Sequence, residues 1–377
     1  MKRKEPIRLL LCCVATALLT ALALGAILYG QLGGEEGVAL FRKIRAVDAL
    51  LTEEYVGETH ASALADGAAA GMVAAIDDRW SYYMTAQEYL QYQQRSANQS
   101  QGIGITVGQD EENGGFLIVS VAVGSPAESA GVQAGEVLIS AAGEALRGKS
   151  IEELRALILG QEGVFLLGLR GSDGRERSVS VQAGYFYSNP VSYRMLDSNN
   201  GYIAIANFEE GAAEETRKAV EELRGQGADA LIFDVRNNPG GKLNELIELL
   251  DYLLPEGDLF ISVDKDGEEK IYRSQRECVE LPMAVLINAN SYSAAEFFAA
   301  ALREYDKAVL VGEASTGKGR SQMTYELFDG SAVHISTRRY LTPGRVDLAE
   351  EGGLRPDIEQ PATQDDAQLA AATKYLS

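Results

Sequence analysis

The sequence predicts an α/β core in which strands and helices alternate, preceded by a small β-rich domain and a helical N-terminal region. From Gly201 to about Tyr340, apolar strands such as "ALIFDV" alternate with amphipathic helices, a pattern typical of largely parallel sheets. From about Asn98 to Ala183, short strands are separated by glycine turns. From about Val38 to Ser96, apolar residues recur at helical spacing. The 377 residues are enough for two or three domains.

The N-terminus predicts a membrane anchor. A basic cluster at residues 1–8 precedes an uncharged apolar run at residues 9–29, close to the ~20 residues with which a helix spans a bilayer. Positive charges before the run and none directly after it predict a cytoplasmic N-terminus and an exported body. A cleaved signal peptide is the alternative, although its apolar region is usually about 7–15 residues long. We expect a retained single-pass anchor in the cell membrane and an extracytoplasmic body.

Composition argues against several classes of function. The formal net charge of −21 disfavours binding to nucleic acids and to anionic lipid. Only Cys278 lies outside the apolar run, so no intramolecular disulfide is expected in the exported part. With His60 and His334 as the two histidines of the chain, a zinc-type ligand cluster is not expected, and we predict no metal.

The elements after the anchor fall into four segments. These are a helical region at 36–97, the β-rich domain at 98–184, the α/β core at 185–360 and a helical tail at 361–377. Within the β-rich domain, Ser150 and Glu153 have the spacing of a capping box that opens a helix. A turn at Asp173-Gly174 separates the last two strands of that domain.

The segment "GEASTGKGR" at 312–320 raises the question of nucleotide binding. It matches the phosphate-binding P-loop pattern up to the last position, where Gly319 replaces the hydroxyl residue that would hold magnesium. A P-loop runs directly into a helix, whereas the residues that follow alternate in polarity and turn at Asp329-Gly330 like a hairpin. The sequence therefore argues against a nucleotide site and leaves Lys318 for another role.

A hydrolase site is the better interpretation. Ser293 lies where a loop turns into a helix, so the N–H groups that follow it can stabilise developing negative charge. Ser291 can be the helix cap instead, and both serines can simply be capping residues. Neither histidine is well placed to act as the base. A lysine whose pKa is lowered by desolvation can replace it, which makes Lys318 the candidate.

The 98–184 segment resembles a PDZ domain in its order of elements and in the stretch "GSPAESAGVQAGEVLISAAGEALRG". In that family a chain terminus adds as a strand beside the main helix, and a glycine-rich loop holds its carboxylate through backbone N–H groups. The resemblance places the loop at Gly102, Ile103, Gly104 and Ile105 and the helix face at Leu154, Leu157 and Ile158. The alternative is that the glycines form a bulge and that Leu154 and Leu157 belong to the core.

Nearly all of the exported chain is similar to the carboxyl-terminal processing peptidases, or tail-specific proteases. The ordered stretches "GMVAAIDDRWSYYM", "LIFDVRNNPGGKLNELIELLDYLLP", "NANSYSAAEFFAAAL", "AVLVGEASTGKGRSQ" and "RRYLTPGRVDLAEEGGLRPDIE" carry the similarity. The resemblance implies a dyad of Ser293 and Lys318, with Gln322 positioning the lysine. It also implies an oxyanion hole made by backbone N–H groups of Ala294 and of Gly240 or Gly241. The chain departs from the family pattern at Arg79-Trp80 and at Tyr292, which replaces a usual small residue.

The resemblance implies a serine endopeptidase that recognises and cleaves the C-terminal tails of exported proteins without a cofactor. The expected partners are proteins or peptides with apolar C-termini, the membrane and, as in relatives, a second copy of the chain. The PDZ-like segment would bind the substrate or gate its access. A catalytically inert scaffold that binds tails is the alternative, which the intact Ser293, Lys318 and Gln322 disfavour.

Overall fold

The computed structural model describes residues 5–110, 114–275 and 278–377, with side chains from residue 12 onward. Lys2, Arg3 and Lys4 of the predicted cytoplasmic N-terminus lie outside the described residues. The chain folds into two units, one ending at Tyr83 and one running from Met84 to Ser377. Within its described residues, from Glu5 onward, the first unit contains three helices, α1 (Glu5–Gln31), α2 (Gly34–Glu54) and α3 (Ala61–Ala74). A short strand, β1 (Tyr82–Met84), follows them.

Helix α1 contains a stretch that is long and apolar enough to cross a membrane. Cys12–Gln31 has 20 residues, a mean hydropathy of 2.1 and no buried side chain. A signal sequence near an N-terminus can also meet this criterion of length and apolar composition. The retained anchor at residues 9–29 therefore stays a prediction, whereas the helical N-terminal region itself is confirmed.

The second unit begins with α4 (Ala86–Ser96) and then forms the β-rich domain. Its elements are β2 (Gln99–Gly102), β3 (Ile105–Asp110), β4 (Gly115–Val121), α5 (Pro126–Ser129), β5 (Val137–Ala141), β6 (Glu144–Ala145), α6 (Ile151–Leu159), β7 (Val164–Arg170), β8 (Glu176–Gln182) and β9 (Gly184–Tyr187). The antiparallel sheet has the order β3-β4-β5-β7-β8, with β6 beside β5. Strands β2 and β9 pair with each other, so the entry and exit of the domain lie side by side.

The predicted capping box at the start of α6 is confirmed. The Ser150 N–H donates to Glu153 Oε2 at 2.7 Å, and the Glu153 N–H donates to Ser150 Oγ at 3.2 Å. The turn at Asp173-Gly174 also lies between β7 and β8 as expected, with Gly174 at φ 77°. Both local patterns therefore fold as the sequence indicates.

The α/β core follows. Its elements are β10 (Val191–Met195), β11 (Asn200–Ile205), α7 (Ala212–Gly225), β12 (Ala230–Asp234), α8 (Leu243–Leu253), β13 (Gly257–Val263), β14 (Glu269–Ser274), β15 (Met283–Ile287), α9 (Ala294–Glu304), β16 (Ala308–Gly312), β17 (Arg320–Glu326), β18 (Ala332–Leu341), β19 (Ile358–Glu359) and α10 (Ala367–Tyr375). The main sheet has the order β10-β11-β12-β15-β16-β19. All its neighbours pair in parallel except β10 and β11, which confirms the predicted sheet.

Both faces of the main sheet are covered. In β12, Leu231 and Phe233 pack in the cluster that includes residues of α7, α8 and α9, whereas Ile232 packs in the cluster that includes Ala372 of α10. Successive side chains of a strand point to opposite faces, so burial on both sides explains why this strand reads as an unbroken apolar run. The carboxyl ends of β12, β15 and β16 share one edge, and the loops that leave them meet there.

A second, antiparallel sheet packs against the core. Strand β13 pairs with β14 and with β18, and β18 pairs with β17. Strands β17 and β18 form the predicted hairpin, whose turn contains Asp329 and Gly330. Strand β17 begins two residues after Lys318, so a strand of the predicted hairpin follows this lysine in place of the helix that a P-loop requires.

Candidate active site

Ser293 lies at a sharp turn between the loop after β15 and helix α9. Its backbone has φ 59° and ψ −126°, a region that residues with a Cβ rarely adopt, and its exposed fraction is 9%. Strained backbone of this kind concentrates at functional sites. The Ser293 N–H donates to Glu296 Oε2 at 2.9 Å, and Ala294 is the first residue of the helix. The turn therefore places the hydroxyl-bearing residue directly at a helix N-terminus.

Ser291 has a different environment. It is fully buried, its Oγ donates to the carbonyl of Val235 at 2.7 Å, and the N–H of Asn288 donates to the same Oγ at 3.0 Å. These contacts join the loop after β15 to the loop after β12. Ser291 thus ties two loops together and does not cap α9.

The loop after β12 contacts the turn at Ser293. A Cβ built on Gly240 would lie 2.8 Å from Ala294 N and 2.8 Å from Ser293 Cβ. Gly240 also has φ 86°, so both space and backbone conformation require glycine there. Its N–H donates to Asn238 Oδ1 at 2.8 Å, whereas its carbonyl accepts from the N–H of Phe208 at 2.7 Å. Gly241 has φ 153° and lies against the backbone of Phe208.

Arg236, in the same loop, connects it to other segments through charge-assisted hydrogen bonds. Its guanidinium donates to both carboxylate oxygens of Asp234 and to both of Asp366, with distances from 2.5 to 3.0 Å. Asp366 caps α10, since its Oδ1 accepts from the N–H of Leu369. The C-terminal helix is therefore connected by charge-assisted hydrogen bonds to the loop that carries Gly240 and Gly241.

The loop after β16 brings Lys318 to the same place. The Thr316 N–H donates to the carbonyl of Ser291 at 3.1 Å, and the Thr316 Oγ1 donates to the carbonyl of Ala289 at 2.7 Å. Lys318 is half-buried, and its Nζ lies 5.8 Å from the ring centroid of Tyr292. A Cβ on Gly317 would lie 2.8 Å from Gly353 N, so this glycine allows the close packing that the sequence predicts.

Gln322 and His334 lie on the hairpin that follows Lys318. The Gln322 Nε2 donates to Ser336 Oγ at 2.9 Å and to the carbonyl of Arg320 at 3.2 Å. The His334 Nδ1 is 2.8 Å from Thr324 Oγ1. Burial, with a smaller contribution from the charge of Lys318, lowers the pKa of His334 to about 4. His334 is therefore a neutral side chain near Lys318. The alternating sequence pattern of its strand did not indicate this proximity.

The sequence reasoning missed Glu296. This residue is fully buried, and its carboxylate contacts the backbone of both Ser293 and Lys318. The signal that could have found it is the glutamate three residues after a serine, the spacing of a capping box. The same spacing identified Glu153 correctly.

The PDZ-like domain has a groove of about 460 Å³ between β3 and α6. The predicted loop residues Gly102, Ile103, Gly104 and Ile105 line it, and so does Leu154. Leu154 also belongs to the buried core of the domain, and Leu157 packs against that core without lining the groove. Ile151 and Arg155 line the groove from the same helix. The groove also reaches Phe186 in β9, the strand that leaves the domain.

Comparisons with known proteins agree with this architecture. The model of peptidase family S41 matches residues 199–360, a PDZ domain model matches 117–166, and the model of the activating protease CtpB N-terminal domain matches 30–88. The carboxy-terminal processing protease CtpA of Bacillus subtilis is 31% identical over 349 residues, which cover 92% of this chain and 74% of that protein. The chain belongs to peptidase family S41. Within the family it is a carboxyl-terminal processing serine protease, as the resemblance implied.

Further S41 relatives extend the comparison. A CtpA-like serine protease of Staphylococcus haemolyticus is 30% identical over 84% of this chain and 64% of that protein. Among solved structures, the photosystem II D1 C-terminal processing protease matches with a TM-score of 0.51 and 25% identity, covering 88% of this chain and 90% of that one. An S41 protease from Bacteroides fragilis matches with a TM-score of 0.53 at 18% identity, over 80% of this chain and 87% of that one, and shares the fold.

Proposed function

We propose that this S41 protease is a membrane-anchored, extracytoplasmic endopeptidase in which Ser293 is the nucleophile and Lys318 the general base. The observation that carries the proposal is the convergence of three loops. The loop of Gly240 contacts Ser293 and Ala294, and the loop of Lys318 is hydrogen-bonded to the same turn through Glu296. A nucleophile, a base and backbone donors at one sheet edge are the parts that acyl transfer requires.

The chemistry would proceed through an acyl-enzyme. Ser293 Oγ attacks the peptide carbonyl while neutral Lys318 accepts its proton and then passes it to the leaving amine. Water hydrolyses the ester in a second, equivalent step. Ala294 N–H and one glycine N–H would stabilise the oxyanion. Because the Gly240 N–H already donates to Asn238, Gly241 is the better candidate of the two glycines.

The groove of the PDZ-like domain supports the proposed substrate class. Backbone of the Gly102–Ile105 loop lies at one side and the apolar Leu154, Ile151 and Ile158 lie at the other. A chain terminus could add beside β3 with its carboxylate at the loop and an apolar side chain against α6. We therefore propose proteins with apolar C-termini as substrates. The second copy of the chain expected from relatives stays a prediction.

The test is cleavage of an unstructured protein with an apolar C-terminus by the full chain in detergent micelles. Ser293→Ala and Lys318→Ala should each lower kcat by more than about 1,000-fold, since each removes one member of the dyad. Ser198→Ala and Lys265→Ala change exposed residues of the same types and should retain the parent rate. Binding of the tail without any cleavage by the parent chain would support the inert scaffold instead.

The pH dependence of the same reaction tests the base. A neutral lysine at working pH requires a pKa below the ordinary value of ~10.4, so kcat should rise and level off well below that pH. A rise centred near pH 10.4 would contradict Lys318 as a desolvated base. The anchor is tested separately by N-terminal sequencing of the membrane-bound protein, in which residues 9–29 should be retained.

A further inference from the structure

The carboxylate of Glu296 lies between the loop of Ser293 and the loop of Lys318. The residue belongs to the first turn of α9, and its side chain is fully buried. It accepts four hydrogen bonds, from three backbone N–H groups and one hydroxyl. The donors are Ser293 N–H at 2.9 Å, Lys318 N–H at 2.8 Å, Gly317 N–H at 2.7 Å and Ser315 Oγ at 2.5 Å.

One oxygen of this carboxylate joins the two proposed members of the dyad. Oε2 accepts from both Ser293 and Lys318, whereas Oε1 accepts from Ser315 and Gly317. A carboxylate is rigid and planar, and hydrogen bonds to it are short. The backbone of Lys318 therefore has little freedom to shift relative to the backbone of Ser293. Catalytic groups need to be held within about 0.5 Å of their productive positions.

Ordinary helix capping does not explain these contacts. Glu88 and Glu153 occupy the same position in the capping boxes of α4 and α6, and each is exposed. Their carboxylates accept from the cap residue of their own helix. Glu296 makes that contact as well, but its other three donors lie 19 to 22 residues further along the chain.

We propose that Glu296 is a positioning residue for the dyad, which holds the Lys318 loop in register with the nucleophile turn. The proposal rests on the proposed roles of Ser293 and Lys318. The Glu296 carboxylate accepts from the backbone N–H groups of both residues and is proposed to act through these backbones. Ser315 completes the arrangement, because its Oγ donates to Glu296 while accepting the N–H of Leu354 at 2.7 Å.

The decisive variant is Glu296→Gln. Glutamine keeps the size of the side chain but turns one acceptor oxygen into an NH₂ donor, which would face two N–H or O–H donors. We expect kcat to fall about 100-fold with KM changed less than threefold, since a displacement of about 1 Å in the dyad has that effect on the chemical step. Labelling of Ser293 by a fluorophosphonate probe should slow in parallel.

Two matched controls separate positioning from general stability. Glu245 is also a buried glutamate whose carboxylate accepts from two backbone N–H groups, those of Gly211 and Ala213. Glu304, at the end of the same helix, accepts from the N–H of Gly344. Glu245→Gln and Glu304→Gln should lower the melting temperature without lowering kcat more than threefold. If Glu296→Gln is folded and keeps kcat within threefold of the parent, the proposal is wrong.

Two further measurements keep the outcome decisive. Should Glu296→Gln not fold, Ser315→Ala removes one of the four donors to Glu296 together with the acceptor of the Leu354 N–H. It is expected to lower kcat about fivefold, whereas an unchanged kcat would overturn the proposal. Hydrogen exchange needs no activity: the amides of 315–318 should exchange at least tenfold faster in Glu296→Gln than in the parent, and equal rates would contradict the positioning role. Inactivity of the parent chain with slow exchange at these amides would count against the proposed function alone.

Discussion

The site at the edge of the core sheet and the groove of the PDZ-like domain are held in opposite ways. At the site, buried polar groups fix the loops: Glu296, Ser291 and Asn238 each connect segments that are distant in sequence. In the groove, Ile151 and Arg155 are exposed and belong to a single short helix. Satisfied buried networks make a structure rigid and unique, whereas exposed side chains adjust. The molecule thus combines a proposed active site whose loops are fixed by buried polar groups with a groove that is partly lined by exposed, adjustable side chains.

This comparison also explains where glycine is required. Gly240 and Gly241 lie against backbone atoms of other loops, so no side chain fits at either position. Gly102, which lines the groove, has φ 152° and no atom within 4 Å of a built Cβ. Gly104, which also lines the groove, has φ 80°, and a Cβ built on it would lie 2.2 Å from Ser125 Cβ. The glycines of the site therefore pack against backbone of other loops, whereas those of the groove face open space at Gly102 and a side chain at Gly104.

Among the substitutions that test this comparison, Gly240→Ala is expected to have the largest effect. The added methyl would lie 2.8 Å from Ala294 N and Ser293 Cβ at φ 86°, so either the loop of Gly240 or the turn at Ser293 must move. Displaced oxyanion donors typically lower kcat by 100-fold or more, and we expect about that loss at unchanged KM. The measurement is steady-state cleavage of a tail-bearing substrate.

Gly225→Ala provides the control for this substitution. Gly225 ends α7, and a Cβ there would meet no atom within 4 Å. Its activity should equal that of the parent. A Gly240→Ala protein with more than a third of the parent kcat would show that the site is less rigid than the comparison implies.

A smaller effect, and one on KM, is expected from Ile151→Glu. The substitution places a carboxylate in the groove, where it opposes both an apolar side chain and the terminal carboxylate of the substrate. We expect KM for an apolar tail to rise about tenfold while kcat stays within twofold. Val164→Glu changes an exposed valine of β7 that does not line the groove and should leave KM unchanged. If Ile151→Glu changed kcat and left KM unaltered, the groove would not have the separate role in substrate binding that the comparison assigns to it.

Much of the core and its loops could be predicted from the sequence because the signals are local. The unbroken apolar strand β12, the hairpin β17–β18 and the capping box of α6 each follow from residues close together in the chain. Ser293 and Lys318 became candidates because a helix start and a glycine-flanked lysine are also local patterns, and the resemblance to the processing peptidases then favoured Ser293 over Ser291. Their roles, like that of Gln322, stay predictions.

The rest depends on contacts that no local pattern contains. The link from Glu296 to Gly317 and Lys318 arises only once β15 and β16 lie side by side in the sheet. Leu157 illustrates the same limit on a helix. It lies three positions after Leu154 and is equally apolar. Both leucines contact the core of the domain, and only the packing of α6 decides that Leu154 also lines the groove.

The smallest effect concerns His334 and the stability of the site at acid pH. Burial lowers its folded-state pKa to about 4, below the ordinary ~6.5 of an unfolded chain. As pH falls from about 6.5 to 4, the unfolded chain binds a proton that the folded protein does not, so the free energy of unfolding decreases. Because the ring is only half-buried, we expect this contribution to be about 1 to 2 kcal/mol.

His334→Gln should remove that part of the pH dependence. Urea unfolding of the parent between pH 7 and pH 4 should show a steeper loss of stability than unfolding of the variant, whereas His60→Gln, at an exposed position, should follow the parent. The glutamine retains a hydrogen-bonding group for Thr324. Parallel pH curves for the parent and His334→Gln would show that the ring is hydrated in solution. The hairpin that carries His334 would then not belong to the buried, rigid part of the molecule with which the groove is compared.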